Sequence, residues 1–410
     1  MKRILFLSLC AYETVEIKDI YTDLLRALIG RGYDVVIASP LEKKYKKAPR
    51  IIREDHCEIV EILIDDYFNV GALKKGFSLL SIDRRFKNAL AKKYGNTAFD
   101  MVLYATPPIM FIKTIRYFKS KGAFAYLMLK DIFPQNAVDI QMMSKRGIGG
   151  VIYGFFRHKE KKIYALSDKI GCMSPANAAY VLSHNPDIRP DKVEVCPNCL
   201  DAEIIRLRDE EKDSIRQLYG LPRDKTIFVY GGNLGKPQGI PFILECLKSQ
   251  KNNHDACFVI VGDGSEFGKL EQYQKTCGQE NFVLMKRLDR HEFDRLIAAC
   301  DVGLLFLDFR FTIPNFPSRL LSYMKAQIPV LACTDEATDV GTIIAENGFG
   351  WRCTSHDVNG FCSAVNQILA DGTDTIKDKG RKGGEYFLQH YSSAGVASII
   401  ERNMEPDHES

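Results

Sequence analysis

Short apolar runs alternate with amphipathic stretches along the whole chain. In the first half the runs are Ile4–Leu9, Asp34–Ala38, Ile59–Ile64, Met101–Tyr104, Phe124–Leu129 and Lys169–Met173. In the second half runs open at Thr226 and Cys257, a helical stretch covers Pro241–Lys248, and further runs follow at Phe282–Lys286, Val302–Leu307 and Pro329–Cys333. Near-continuous apolar runs separated by helical periodicity predict strands buried on both faces of mostly parallel sheets, hence an α/β fold. Met1–Ala11 imitates a signal peptide, but its apolar part is short, Tyr12-Glu13 follow it, and no small-residue cleavage site comes after. It reads as the first sheet strand. No apolar run approaches the ~20 residues needed to span a bilayer.

A chain of 410 residues exceeds the usual limit of one core, and 46% hydrophobic residues can fill two. The boundary is placed after Val195-Cys196-Pro197-Asn198, because Glu203–Leu218 is charge-rich and Leu221-Pro222-Arg223-Asp224 turns the chain before the next strand. The expected domains are 1–198 and 199–385, with a C-terminal helix at about 386–405 able to pack back on the first. The 12 cysteines sit singly in strands and helices, as reduced core residues of a cytoplasmic protein do. Cys196-Pro197-Asn198-Cys199 has metal or redox spacing, but no second pair or nearby His completes a site, and no metal is expected.

Charge is unevenly divided. Residues 1–205 hold 32 basic against 23 acidic groups, residues 206–410 hold 24 against 29, and the net +4 conceals the contrast. The basic groups cluster at Lys43–Lys47, Lys74-Lys75, Arg84-Arg85, Lys92-Lys93 and Arg157–Lys162. Nucleic acid, an anionic membrane with a lipid-linked acceptor, or plain solvated helix faces could each account for them. Nucleic acid is disfavoured, since no binding module is present and aromatics do not interleave with the basics. On a helix, Val70, Leu73, Phe77 and Leu80 form one stripe flanked by Lys74 and Lys75, as in an interfacial segment or a helix packed on its own domain.

The strand at Thr226 breaks into Gly231-Gly232-Asn233-Leu234-Gly235 with Gln238-Gly239, and the next into Val261-Gly262-Asp263-Gly264. Such strand–glycine turn–helix units let backbone approach a ligand at the carboxyl ends of parallel strands. Further on, Ile313–Met324 reads as a helix start built for an anion. Pro317 suits a first turn, the amides of Ser318, Arg319 and Leu320 are expected to be free, and the Arg319 side chain adds a full charge. In the first half, Asp131 follows the buried run Phe124–Leu129 inside Lys130-Asp131-Ile132-Phe133-Pro134, either facing a ligand or capping a helix.

Through these motifs, with Ala299-Cys300-Asp301-Val302-Gly303, Pro317–Tyr323 and Ile328-Pro329-Val330, the chain resembles the retaining glycosyltransferases of family four, and most of all those building bacterial capsule and O-antigen units. The resemblance implies the GT-B architecture, two Rossmann-like domains facing a cleft. It also implies a nucleotide-diphosphate sugar as donor, with UDP the expected diphosphate and no cofactor. The family's pair of glutamates falls on Pro314 and Ser322, and its basic pair on Asn233 and Gln238. The inferred donor-binding set is therefore Gly232, Asn233, Gly235, Gln238, Arg287, Pro317, Ser318, Arg319 and Ser322, with Asp131 and Asn315 as the catalytic candidates. The implied reaction is transfer of a hexose or amino sugar to a lipid-linked saccharide at the inner face of the plasma membrane. Its rivals are a nucleotide-sugar epimerase of the same fold and a silent transferase-like subunit.

Overall fold

The computed structural model describes residues 2–67, 72–107 and 109–404, with backbone alone for 72–80. Val70 of the proposed interfacial stripe lies outside the described residues, as do the side chains of Leu73, Lys74, Lys75, Phe77 and Leu80. Contacts divide the chain into two compact units, Met1–Asp201 with Ser393–Ser410, and Ala202–Ser392.

In the first unit the elements are β1 (Arg3–Leu7), α1 (Thr22–Ile29), β2 (Asp34–Glu42), β3 (Ile51–Glu54), β4 (Cys57–Ile64), α2 (Ala72–Tyr94), β5 (Met101–Thr106), α3 (Ile112–Lys119), β6 (Phe124–Leu129), α4 (Gln135–Asp139), α5 (Gly147–Leu166), β7 (Lys169–Cys172), α6 (Pro175–His184) and β8 (Val193–Val195). The sheet runs β3-β4-β2-β1-β5-β6-β7-β8, parallel except for the β3–β4 pair. Its strands are apolar on both faces because helices cover both. The C-terminal α14 (Ser393–Arg402) buries Val396, Ala397 and Ile400 in the cluster that holds Ile4, Phe6 and Leu25.

The second unit comprises α7 (Asp209–Leu218), β9 (Thr226–Asn233), α8 (Ile240–Ser249), β10 (Ala256–Asp263), α9 (Phe267–Cys277), β11 (Phe282–Met285), α10 (Arg290–Ala298), β12 (Val302–Phe306), α11 (Arg319–Lys325), β13 (Val330–Thr334), α12 (Val340–Glu346), β14 (Gly350–Thr354) and α13 (Val358–His390), a helical run broken at Gly372. All six strands are parallel in the order β11-β10-β9-β12-β13-β14. The order reverses between β9 and β12, the place where open α/β sheets bind ligands at their carboxyl edge. Among the described residues no helix is long and apolar enough to cross a membrane.

Candidate functional site

The carboxyl edge of the second sheet is shaped by two glycine turns pressed together. Gly232 adopts φ +125°, a conformation that side chains rarely accept. Gly262, its register partner on β10, leaves no space either: a Cβ there would stand 1.9 Å from the Gly232 carbonyl oxygen. Leu234 N donates to Asp263 O at 2.8 Å and locks the turns to each other. Gln238 is buried, and its Oε1 accepts from Gly235 N at 3.1 Å and from Asn233 Nδ2 at 3.4 Å. Through its Oε1, Gln238 thus closes the turn, whereas Asn233 stays exposed.

Beside these turns lies a cavity of about 520 Å3, lined by Gly232, Asn233, Gly264, Arg287, Arg290 and Phe293. Arg287 makes no ion pair among the described residues. Sequence reasoning missed Arg290, which sits on an ordinary amphipathic helix; its Nε holds Asp294 at 2.9 Å and its Nη2 reaches Ser322 Oγ at 3.4 Å. Ser322, at the position of the family's second glutamate, is buried beneath that arginine.

Arg319 stands beside Gly232 but does not line this cavity. Its guanidinium stacks on the Tyr230 ring, 4.3 Å from the centroid, and an ideal Cβ on Gly232 would stand 3.8 to 3.9 Å from it. Nη1 is buried with no hydrogen-bond partner, and no carboxylate pairs with the group among the described residues. Burial lowers its pKa to about 10, still far above neutrality, so a full charge stands there without a counter-charge. Two tyrosines hold the surroundings: Tyr230 OH donates to Asn233 O at 2.8 Å, and Tyr323 OH accepts from Gly231 N at 3.1 Å while donating to Leu304 O at 3.0 Å.

The helix start differs from expectation. α11 begins at Arg319, two residues after Pro317, and Ser318 offers no side-chain cap. Leu320 N donates to Pro317 O at 3.2 Å, so of the three amides expected to be free this one is taken. Asn315 is fixed from β13's end: its N donates to Thr338 Oγ1 at 3.0 Å, and Thr338 Oγ1 donates to Asp335 at 3.0 Å. Burial pushes Asp335 up to about 6, against the pull of these bonds.

In the first unit Asp131 follows β6 and does not cap α4, which starts at Gln135 after Pro134. Its side chain is exposed and has no hydrogen-bond partner among the described residues, yet surrounding protein desolvates it and pushes its carboxyl up to about 6. Asn136 Oδ1 nearby is buried and unpartnered. Cys196 and Cys199 are both buried thiols whose pKa values burial raises, and among the described residues no group of three or more His, Cys, Asp or Glu could hold a metal ion.

Residues 211–383 match the model of the family described as glycosyl transferases group 1. A probable glycosyltransferase of Pseudomonas aeruginosa, WbjE, is 26% identical over 66% of this chain and 66% of its own. The UDP-Gal:alpha-D-GlcNAc-diphosphoundecaprenol alpha-1,3-galactosyltransferase of Escherichia coli is 25% identical over 47% of this chain and 49% of its own. The chain therefore spans from about half to about two thirds of the length of these relatives. Among solved structures, sucrose-phosphate synthase of Thermosynechococcus elongatus superposes with TM-score 0.74 at 16% identity, covering 98% of both chains. HepE of Anabaena in complex with UDP superposes with TM-score 0.70 at 14% identity, over 98% of this chain and 99% of its own. The protein has the GT-B fold, and the segment that matches the group 1 glycosyl transferase model lies within its second unit.

Proposed function

We propose that the protein is a retaining glycosyltransferase that moves a hexose or amino sugar from a UDP-sugar to a lipid-linked saccharide in bacterial surface polysaccharide synthesis, working on the cytoplasmic face of the membrane. The observation that carries it is Arg319, a desolvated cation without a counter-charge, set beside a glycine turn that admits no side chain. A diphosphate supplies the missing charge there, with Arg287 and Arg290 lining the cavity beyond Gly232. HepE in its complex with UDP and the diphosphoundecaprenol-linked substrate in the E. coli relative's name support the donor and acceptor classes. The acceptor hydroxyl forms the new bond to the anomeric carbon as the sugar–diphosphate bond breaks, the leaving diphosphate takes the hydroxyl proton, and Asp131 orients the hydroxyl or stabilises developing positive charge.

A silent subunit is the rival reading, because Pro314 and Ser322 stand where the resembled family has glutamates. Incubation of the purified protein with radiolabelled UDP-sugars and a polyprenyl-diphosphate saccharide separates the two. Label in the lipid fraction supports transfer; UDP binding without any label transfer supports the silent subunit, and donor turnover without acceptor supports an epimerase.

A further inference from the structure

The first unit bears an apolar stripe that its own core does not cover. Ile148, Val151, Ile152 and Phe155 on α5 are 83%, 75%, 46% and 41% exposed. Their spacing of three and four residues puts them on one helix face. Met142, in the loop before α5, adds a fifth exposed apolar side chain at 65%. The cause is helix length. α5 is anchored at its far end, where Glu160, Ile163 and Tyr164 are buried and Lys119 of α3 holds the Leu166 carbonyl at 2.7 Å. It is twelve residues longer than α3, about 18 Å at 1.5 Å per residue, so its first turns outrun the neighbour that would have covered them.

The exposed charges flanking the stripe on its own helix and the loop before it are basic; Glu160 is buried against Arg157, and the exposed carboxylate of Asp131 lies on the neighbouring element. Lys145 and Arg146 precede it, Lys161 and Lys162 follow it, and all four are exposed without ion pairs among the described residues. α2 packs on α3 and α3 on α5, in the layer that right-handed crossovers place on one face of the sheet. Between α2 and α3 runs an open groove of about 560 Å3 whose charged lining is Arg84, Lys87, Lys113 and Arg116, with Tyr117 and no carboxylate. A protein partner would need acidic groups matched to these cations one by one. A bilayer needs only anionic headgroups beside its acyl chains.

We infer that the α5 stripe and the basic α2–α3 groove dock this unit on an anionic bilayer. For its purpose the inference rests on the lipid-linked acceptor proposed above. α5 packs directly on the Asp131 element: the Phe133 and Phe156 rings meet edge to face at 5.1 Å, and Tyr153 OH donates to Gln135 Oε1 at 3.4 Å. Docking through α5 therefore holds Asp131 near the headgroups.

The test is cosedimentation of the full chain with phosphatidylglycerol–phosphatidylcholine vesicles and with pure phosphatidylcholine vesicles. Binding is expected only with the anionic lipid, falling as salt rises, since each basic residue near such a surface is worth about fivefold in partition. Ile148→Ser with Val151→Ser should lower binding more than tenfold at every salt concentration. Arg84→Glu with Arg116→Glu should lower it and flatten the salt dependence. The melting temperature of the unliganded chain serves as the folding control, and it and the UDP-induced thermal shift, which reads the other unit, should be unchanged in both variants. Equal binding to neutral vesicles, undiminished binding by the Ser variant, or self-association that the Ser variant abolishes without vesicle binding would each overturn the inference. Vesicle binding without sugar transfer would sink the proposed reaction and leave the docking face standing.

Discussion

Arg319 and Tyr230 form a stacked pair, the guanidinium carbon 4.3 Å from the ring centroid, on β9 and the start of α11. The ring face attracts the cation but cannot neutralise it. Tyr230 also fixes Asn233 through its hydroxyl, so one aromatic side chain sets both the cation and the glycine turn beside it.

Arg319→Ala is expected to weaken UDP binding by about 1.5–3 kcal/mol, the usual loss for a charge-assisted hydrogen bond. The unliganded protein should keep or slightly raise its melting temperature, because an unpaired desolvated charge is removed. Calorimetric titration with UDP alongside a thermal melt checks both signs; unchanged affinity rejects the diphosphate assignment.

Glycine substitutions should divide by local space. Gly262→Ala must push the Gly232 carbonyl, backbone that has little room to yield, and is expected to cost about 1–3 kcal/mol and to lower UDP affinity with it. Gly268→Ala, in the first turn of α9 with nothing within 4 Å, should stabilise by about 0.5–1 kcal/mol. Urea denaturation of the two variants would show opposite shifts; shifts of one sign would refute the packing argument.

The strands were legible because parallel strands covered on both faces are continuous apolar runs, as at Phe124–Leu129 and Val302–Phe306. β3, β8 and β14 escaped because they are short, lie at the edges of their sheets and expose part of their surface. The proline pattern places the helix start two residues early, since Ser318 already adopts helical angles while the regular helix begins only at Arg319. Arg290 could not be found from spacing, because it meets Ser322 only through tertiary packing of α10 on α11. The α5 stripe has the periodicity of a core-facing helix, and only the shortness of α3 leaves it uncovered.

Asp131→Asn should lower transfer tenfold or more while leaving UDP affinity almost unchanged. With the carboxyl at about 6, wild-type transfer should fall as pH drops through that value, and the variant should lose this limb of the profile. The stability sign is opposite to that of a salt-bridged acid. A folded-state pKa raised from 3.8 gives stability that is present below 3.8 and lost as pH rises through about 6, so the variant should be no less stable at neutral pH. A marked fall in melting temperature at pH 7 would instead make Asp131 structural.

Asp335, Thr338 and Asn315 form a relay whose loss should reach the site through the loop before Arg319. Thr338→Val keeps the volume but removes both the donor to Asp335 and the acceptor for Asn315 N, and should cost about 1–3 kcal/mol because the buried carboxylate loses a partner. The bonds from Ala337 N and Thr338 N to Asp335 remain, so the fold should survive. Asp335 is itself raised by burial to about 6, hence its contribution to stability is lost as pH rises through 6, and the variant's deficit should be larger at pH 8 than at pH 5, where the carboxyl is mostly protonated. Transfer should decline more than UDP affinity, since Asn315 is released while Arg319 keeps its place on Tyr230. Denaturation at the two pH values, with transfer and UDP titration at pH 8, would test it; an equal deficit at both pH values would refute the Asp335 argument, and unaltered transfer would remove Asn315 from the catalytic candidates.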